Sequence, residues 1–220
     1  MKKLLGTLAI CALTASAFAQ GTVTLGNQTG LIKQWTSATD TALISVPKSG
    51  GYVELIAAPA GTALVDPLFS AAGRFNYSSL SGFLTANPGW VGALGPNSGT
   101  TANPALIALG AGLINGGTFT IGNAAAGASA QYLLIGWTGT FATADAAIAA
   151  WLPNTGNMFG ESAVFTTGTG GAGTPATLPT NLKTTFGGMT MVANAVVPEP
   201  ATFALAGLGL AALLVFRRRS

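Results

Sequence analysis

The sequence contains no histidine, and its one cysteine, Cys11, stands close to the N-terminus. These two absences remove the commonest general base, the thiol nucleophiles and the usual zinc ligands from the rest of the chain. No disulfide can staple the fold, so the chain must supply its own core. Charge is also scarce. Only 7% of residues are charged, against the ~25% usual for soluble domains. Solubility must rest on Thr, Ser, Asn and backbone amides, a surface suited to a crowded extracellular matrix or an outer surface.

The few charges are unevenly placed. From residue 20 to 197 the basic residues are Lys33, Lys48, Arg74 and Lys183, against Asp40, Glu54, Asp66, Asp145 and Glu161, which leaves one net negative charge. The overall pI of about 9.3 therefore belongs to the two ends of the chain. No basic patch exists to suggest nucleic acid as a partner.

Residues 1–20 read MKKLLGTLAICALTASAFAQ: two lysines, an apolar stretch over 4–15, then small residues. This is the pattern of a secretory signal peptide occupying 1–19. Ala17 and Ala19 form the small-x-small pattern that signal peptidase recognises, so the mature chain is expected to begin at Gln20. Cleavage after Ala17 is the second choice. Lipidation at Cys11 is disfavoured because bulky Ile10 stands where a small residue is required.

The other end, 197–220, reads VPEPATFALAGLGLAALLVFRRRS. Residues 201–216 carry no charge, and as a helix at ~1.5 Å per residue they would reach roughly 24 Å. That is marginal for a hydrocarbon core ~30 Å thick and requires snorkelling arginines or local thinning. A buried core helix would satisfy the length but not Arg217, Arg218 and Arg219, which would lack acidic partners there. In a membrane those arginines stay on the cytoplasmic side and the body is held outside. Pro198, Glu199 and Pro200, then the span, then the arginines resemble the PEP-CTERM sorting signal of Gram-negative, exopolysaccharide-producing bacteria. The resemblance implies that an exosortase, an integral-membrane cysteine transpeptidase-like enzyme, cuts near residues 198–200. The expected partners are therefore signal peptidase, exosortase and, transiently, the membrane. A second sorting-like string, Leu152-Pro153-Asn154-Thr155-Gly156, lacks the hydrophobic span and basic tail that such a motif needs, and reads as a turn closing a helix.

Between the ends, short apolar runs bounded by Gly, Pro, Asn and Thr recur about every ten residues, with almost no helical period. That spacing predicts an all-β chain, a single β-sandwich-like body over 20–196 with one short helix. Strands are expected at 22–25, 31–35, 42–46, 52–57, 161–167 and 190–196. Around 118–121 the alternation points Phe119 and Ile121 at the core. Residues 131–137 are apolar on both faces and predict a central strand. The helix is expected at 144–151, with Thr143 capping, Asp145 favourable to the dipole and Pro153 as the stop. Residues 87–112 are hardest to read. Gln20 to Val23, Leu55 with Pro59 to Thr62, the 131–137 run, the alanine-rich helix and Gly160 to Phe165 resemble the body of small exported verrucomicrobial PEP-CTERM proteins. There, however, an acidic residue often follows the tryptophan, where this chain has Thr138.

An enzyme built from this body would have to run on five carboxylates. Glu54, at a strand end, and Glu161, at a strand start, are the pair best placed for glycosidase chemistry. Solvated edge charges that discourage strand association are the plainer reading. The GxGxxG match at 168–173 precedes Thr174-Pro175 instead of opening a helix, so it lacks a pyrophosphate cradle. Asp40, Asp66 and Asp145 are too scattered for a calcium loop. Among Trp35, Trp90, Trp137 and Trp151, the last two fall on elements that bury them. Trp90, between Pro88-Gly89 and Gly92, is the candidate exposed platform for a sugar ring. The expectation is a non-enzymatic structural or adhesive protein of the envelope surface or exopolysaccharide matrix, with no cofactor and no metal. A carbohydrate-binding module for matrix polysaccharide is the alternative, and a carboxylate glycoside hydrolase a weaker third.

Overall fold

The computed structural model describes residues 20–28, 31–37, 40–70, 74–95, 104–152 and 156–194. Ala17, Ala19, Pro198, Glu199, Pro200, Arg217, Arg218 and Arg219, with the expected signal peptide and sorting tail, lie outside the described residues, as does most of the 152–156 turn. In chain order the strands are β1 (Gln20–Gly26), β2 (Ile32–Trp35), β3 (Leu43–Ser45), β4 (Gly51–Pro59), β5 (Phe69–Ser70), β6 (Arg74–Phe75) and β7 (Val91–Gly92). They continue with β8 (Ala105–Leu106), β9 (Asn115–Ala125), β10 (Ser129–Thr138), β11 (Met158–Glu161), β12 (Phe165–Gly168), β13 (Thr180–Asn181) and β14 (Met189–Ala193). Two helices, α1 (Leu80–Ala86) and α2 (Ala144–Trp151), complete the elements used below.

The chain is all-β, and β10 explains why. Side chains alternate across a strand, so Tyr132 and Leu134 join one core while Leu133, Ile135 and Trp137 join another. A strand that is apolar on both faces must be covered on both. β4 runs antiparallel to it over nine register pairs, from Ala130↔Pro59 to Thr138↔Gly51. The large sheet has the order β3-β2-β14-β11-β10-β4-β7, with β12 also on β10 and β8 also on β4.

A smaller sheet, β13-β1-β9, closes over one face. Val23 and Leu25 from β1 and Phe119 and Ile121 from β9 pack with Val53, Leu55, Tyr132, Leu134, Met189 and Met191 of the large sheet. The opposite face carries the second core. There Ile148 and Trp151 of α2, Phe83 of α1 and the β5–β6 hairpin cover Ile56, Leu133, Ile135, Trp137 and Phe159. Aromatic edge contacts knit this layer: Phe75 stands 4.8 Å from Trp151 and 4.6 Å from Phe159, ring centre to ring centre. The second core and its helices add a layer that a plain two-sheet sandwich does not have.

Two expected boundaries shift for physical reasons. Residues 161–167 were expected as one strand, but two strands, β11 and β12, lie along the same edge of β10. Glu161 faces Ile135 and Phe165 faces Tyr132, so the edge chain takes four steps where β10 takes three. The extra residue is a bulge, and it turns the side chains after it to the other face. Ser162 secures it: its N–H donates to the Leu134 carbonyl at 2.8 Å, and its hydroxyl accepts from the Leu134 N–H at 3.0 Å. The second difference is α1, for which no helix was expected. It is a seven-residue helix capped by Ser79, whose hydroxyl accepts from Gly82 N–H at 3.0 Å. Gly82 within so short a segment hides the helical signal.

Helix α2 forms as expected. Thr143 is extended and its hydroxyl accepts from Ala146 N–H at 3.2 Å, while Asp145 occupies the first turn.

Candidate functional site

The two glutamates singled out from sequence lie on the same face of the large sheet. Glu54 of β4 is the register partner of Ile135 on one side, and Glu161 of β11 is its partner on the other. Partners in an antiparallel ladder share a face, so both carboxyls point to the helix-covered side, one strand apart. With strands ~4.8 Å apart, their backbones stand roughly 10 Å from one another.

Their surroundings differ. The Glu161 carboxylate lines a cavity of about 320 Å³ with Pro67, Phe69, Ser70, Ser162, Thr190 and Val192. It accepts the Phe69 N–H at 2.8 Å, and the Leu68 N–H also favours its charged form. Burial nevertheless pushes its pKa up to about 7, against the lowering effect of those two N–H groups. Glu54 is only 5% exposed. Burial pushes its carboxyl up to about 7, and the negative charge of Asp145 adds to the rise. It lines a separate cavity of about 290 Å³ with Leu80, Pro104, Ala142, Thr143, Ala144 and Asp145.

The expected pair is therefore brought onto one face but not into one cleft. Ile135, fully buried, stands between them. Two carboxyls acting on one glycosidic bond must flank the same sugar, and these open into different cavities.

The tryptophans correct a further expectation. Trp90 is not an exposed platform: it is 2% exposed and part of the second core, and its indole N–H donates to the Ala63 carbonyl at 3.0 Å. It does lie outside regular structure, as its Pro and Gly neighbours suggest. The loop is folded inward because Asn87, itself fully buried, accepts the Val65 N–H at 2.7 Å and donates to the carbonyls of Asp66 and Phe83. Trp137 and Trp151 are buried as expected, their indole N–H groups donating to Phe141 and Val192 carbonyls. Trp35 is half-buried against the first core. Gly170, within the GxGxxG string, bridges to Thr22, and the string opens into turn and irregular chain over 171–179, not into a helix.

What sequence reasoning missed is the proximity of Asp145 to Glu54. Asp145 was read as a helix-dipole residue, and it also accepts the Leu80 N–H at 2.6 Å, tying α1 to α2. Among the described residues no group of three or more His, Cys, Asp or Glu side chains could hold a metal ion. No helix among them is long and apolar enough to cross a membrane.

The sheet hands the chain on to its tail in a fixed way. β14 lies inside the large sheet, parallel to β2 and antiparallel to β11. Asn194, directly after it, donates to the carbonyls of Trp151 and Leu152 at 3.3 and 2.9 Å. Residues 196–219 match the PEP-CTERM protein-sorting motif. The match supports an exported precursor, anchored in the membrane and processed by exosortase at the cell envelope. No curated protein and no solved structure matches the chain.

Proposed function

We propose that this chain is exported by its signal peptide, that exosortase removes the tail near residues 198–200, and that the released body is a non-enzymatic structural or adhesive component. Its destination is the envelope surface or the exopolysaccharide matrix. The observation that carries this reading is the order of parts at the C-terminus: the sorting motif begins at residue 196, just past Asn194, whose side chain seals the end of the last strand. A cut there removes none of the described strands of the sheet and none of the described residues of either core.

The non-enzymatic part is supported by the separation of Glu54 and Glu161 into different cavities. The few charged side chains on the body suit a polysaccharide-rich, crowded medium. The likeness to small verrucomicrobial exported proteins belongs to the same reading. Carbohydrate binding through Trp90 loses its support with that ring buried.

Replacing Pro198, Glu199 and Pro200 by alanine in an exosortase-bearing host should leave the protein uncut in the inner membrane, with the unaltered protein recovered from the surface or matrix fraction. Normal release of the alanine variant would overturn the processing step. Recovery of the unaltered body only from the periplasm would overturn the destination.

A further inference from the structure

The large sheet ends differently on its two sides. Just past β7, Leu94 exchanges two backbone hydrogen bonds with Thr120 of β9, at 2.9 and 3.0 Å, so that side curls shut against the smaller sheet. The other side stops at β3, which among the described strands pairs only with β2. Beside it the Thr36 N–H donates to the Ala42 carbonyl and the Val46 N–H to the Ile32 carbonyl. Bonded and unbonded pairs alternate along an antiparallel ladder, so Ile44 spends its backbone groups on Gln34, while Leu43 and Ser45 turn theirs away from β2. Unpaired backbone groups along an edge are a template for another strand.

Nothing in this stretch discourages pairing. Residues 41–46 read TALISV, without a charge or a proline, the two devices that commonly blunt an edge. Leu43 is 51% and Ile44 42% exposed, although both are large and apolar. Ile44 lies on the face it shares with Gln34, and Leu43 lies on the opposite face, where it lines an open cavity of about 400 Å³ with Leu31, Lys33 and Met189. The charges stand at the two ends instead. Asp40 precedes the stretch and Lys48 follows it; both are exposed, and neither forms an ion pair with a described residue.

We infer that β3 is a self-pairing edge: two copies of this chain join their β3 strands antiparallel about a twofold axis at Ile44, and the large sheet continues from one molecule into the next. The outward-facing groups set the register. Leu43 of each copy exchanges both backbone hydrogen bonds with Ser45 of the second copy, and Ile44 meets Ile44 in the close, unbonded position between them, with Cα atoms ~4.5 Å apart. Apolar β-branched side chains placed directly opposite stabilise such a pair. The same register brings Asp40 of each copy beside Lys48 of the other, so charges without partners in one molecule find them in two. This symmetry of charge about Ile44 selects a second copy over a foreign strand. The contact is small, which makes the pair weak and concentration-dependent. It goes beyond the sorting function and does not depend on it.

The test uses the full-length chain in detergent micelles, with Cys11→Ser removing its own thiol. On mild oxidation Ile44→Cys should give a disulfide-linked dimer, because a Cα separation of ~4.5 Å is within disulfide reach. Thr41→Cys, on the same exposed stretch, would stand roughly 20 Å from its own copy and should stay unlinked. Chains held together only by their tails would link both cysteines alike. In the same background without an added cysteine, light scattering at up to about 1 mM should show a dimer that Asp40→Lys or Lys48→Asp alone weakens about fivefold and that the two changes together restore. No linkage at Ile44→Cys, equal linkage at Thr41→Cys, or a doubly reversed chain that dimerises no better than either single variant would overturn the pairing.

Discussion

Glu54 and Glu161 flank Ile135 from opposite sides on one face of the large sheet. Glu54 is buried there and Glu161 half-buried, and both have pKa values raised from the ordinary 4.5 to about 7. Between those two values the folded chain holds protons that the unfolded chain releases. Stability is therefore full below the unfolded value and falls as pH rises through the folded one. The unfolding free energy from urea titration should drop between about pH 5 and about pH 8, by up to roughly 3 kcal/mol per carboxyl. Glu54→Gln should flatten part of that slope. A stability that rises over this interval would contradict the desolvation of these two carboxyls.

Gly136 and Gly160 are register partners where β10, β11 and β14 meet. A side chain at Gly160 would collide with the backbone carbonyl of Thr190, whereas one at Gly136 would meet the terminal methyl groups of Met191 and Met189. Backbone in a central strand cannot yield, but a methionine end can. Gly160→Ala should therefore destabilise by about 2–3 kcal/mol, and Gly136→Ala by about half as much. Chemical denaturation of the two variants side by side checks the order, and equal losses would contradict the packing described.

Trp90 packs in the second core beneath its loop. Trp90→Ala should cost about 3–5 kcal/mol, the usual loss for a buried large aromatic. Trp90→Phe keeps most of the packing but forfeits the indole bond to Ala63, and should cost much less. An unchanged urea midpoint in Trp90→Ala would place the ring outside the core.

What was legible in the sequence was local. The two-faced apolar run of β10, the alternation at Phe119 and Ile121, and the capped alanine helix α2 are written in neighbouring residues, and the structure places them as read. Signals that act over distance were not legible. The bulge at 162–164 depends on Ser162 meeting Leu134, 28 residues away. Trp90 is buried by a bond to Ala63 and a loop fastened by Asn87, neither visible from its Pro and Gly neighbours. Glu54 and Glu161 were paired from the sequence as candidates for one site, and the structure brings them only onto one face of the sheet. Their division between two cavities, and the approach of Asp145 to only one of them, arise from strand register and from the seat of α2 on the sheet.

The central claim is that the body is delivered outside the cell and parted from its C-terminal signal. Intact-mass measurement of the protein recovered from an exosortase-bearing host tests it most directly. The expected species begins at Gln20 and ends near residues 198–200, having lost both the hydrophobic run and Arg217 to Arg219. A mass corresponding to the entire chain from Met1 to Ser220, in protein free of the membrane, would contradict it.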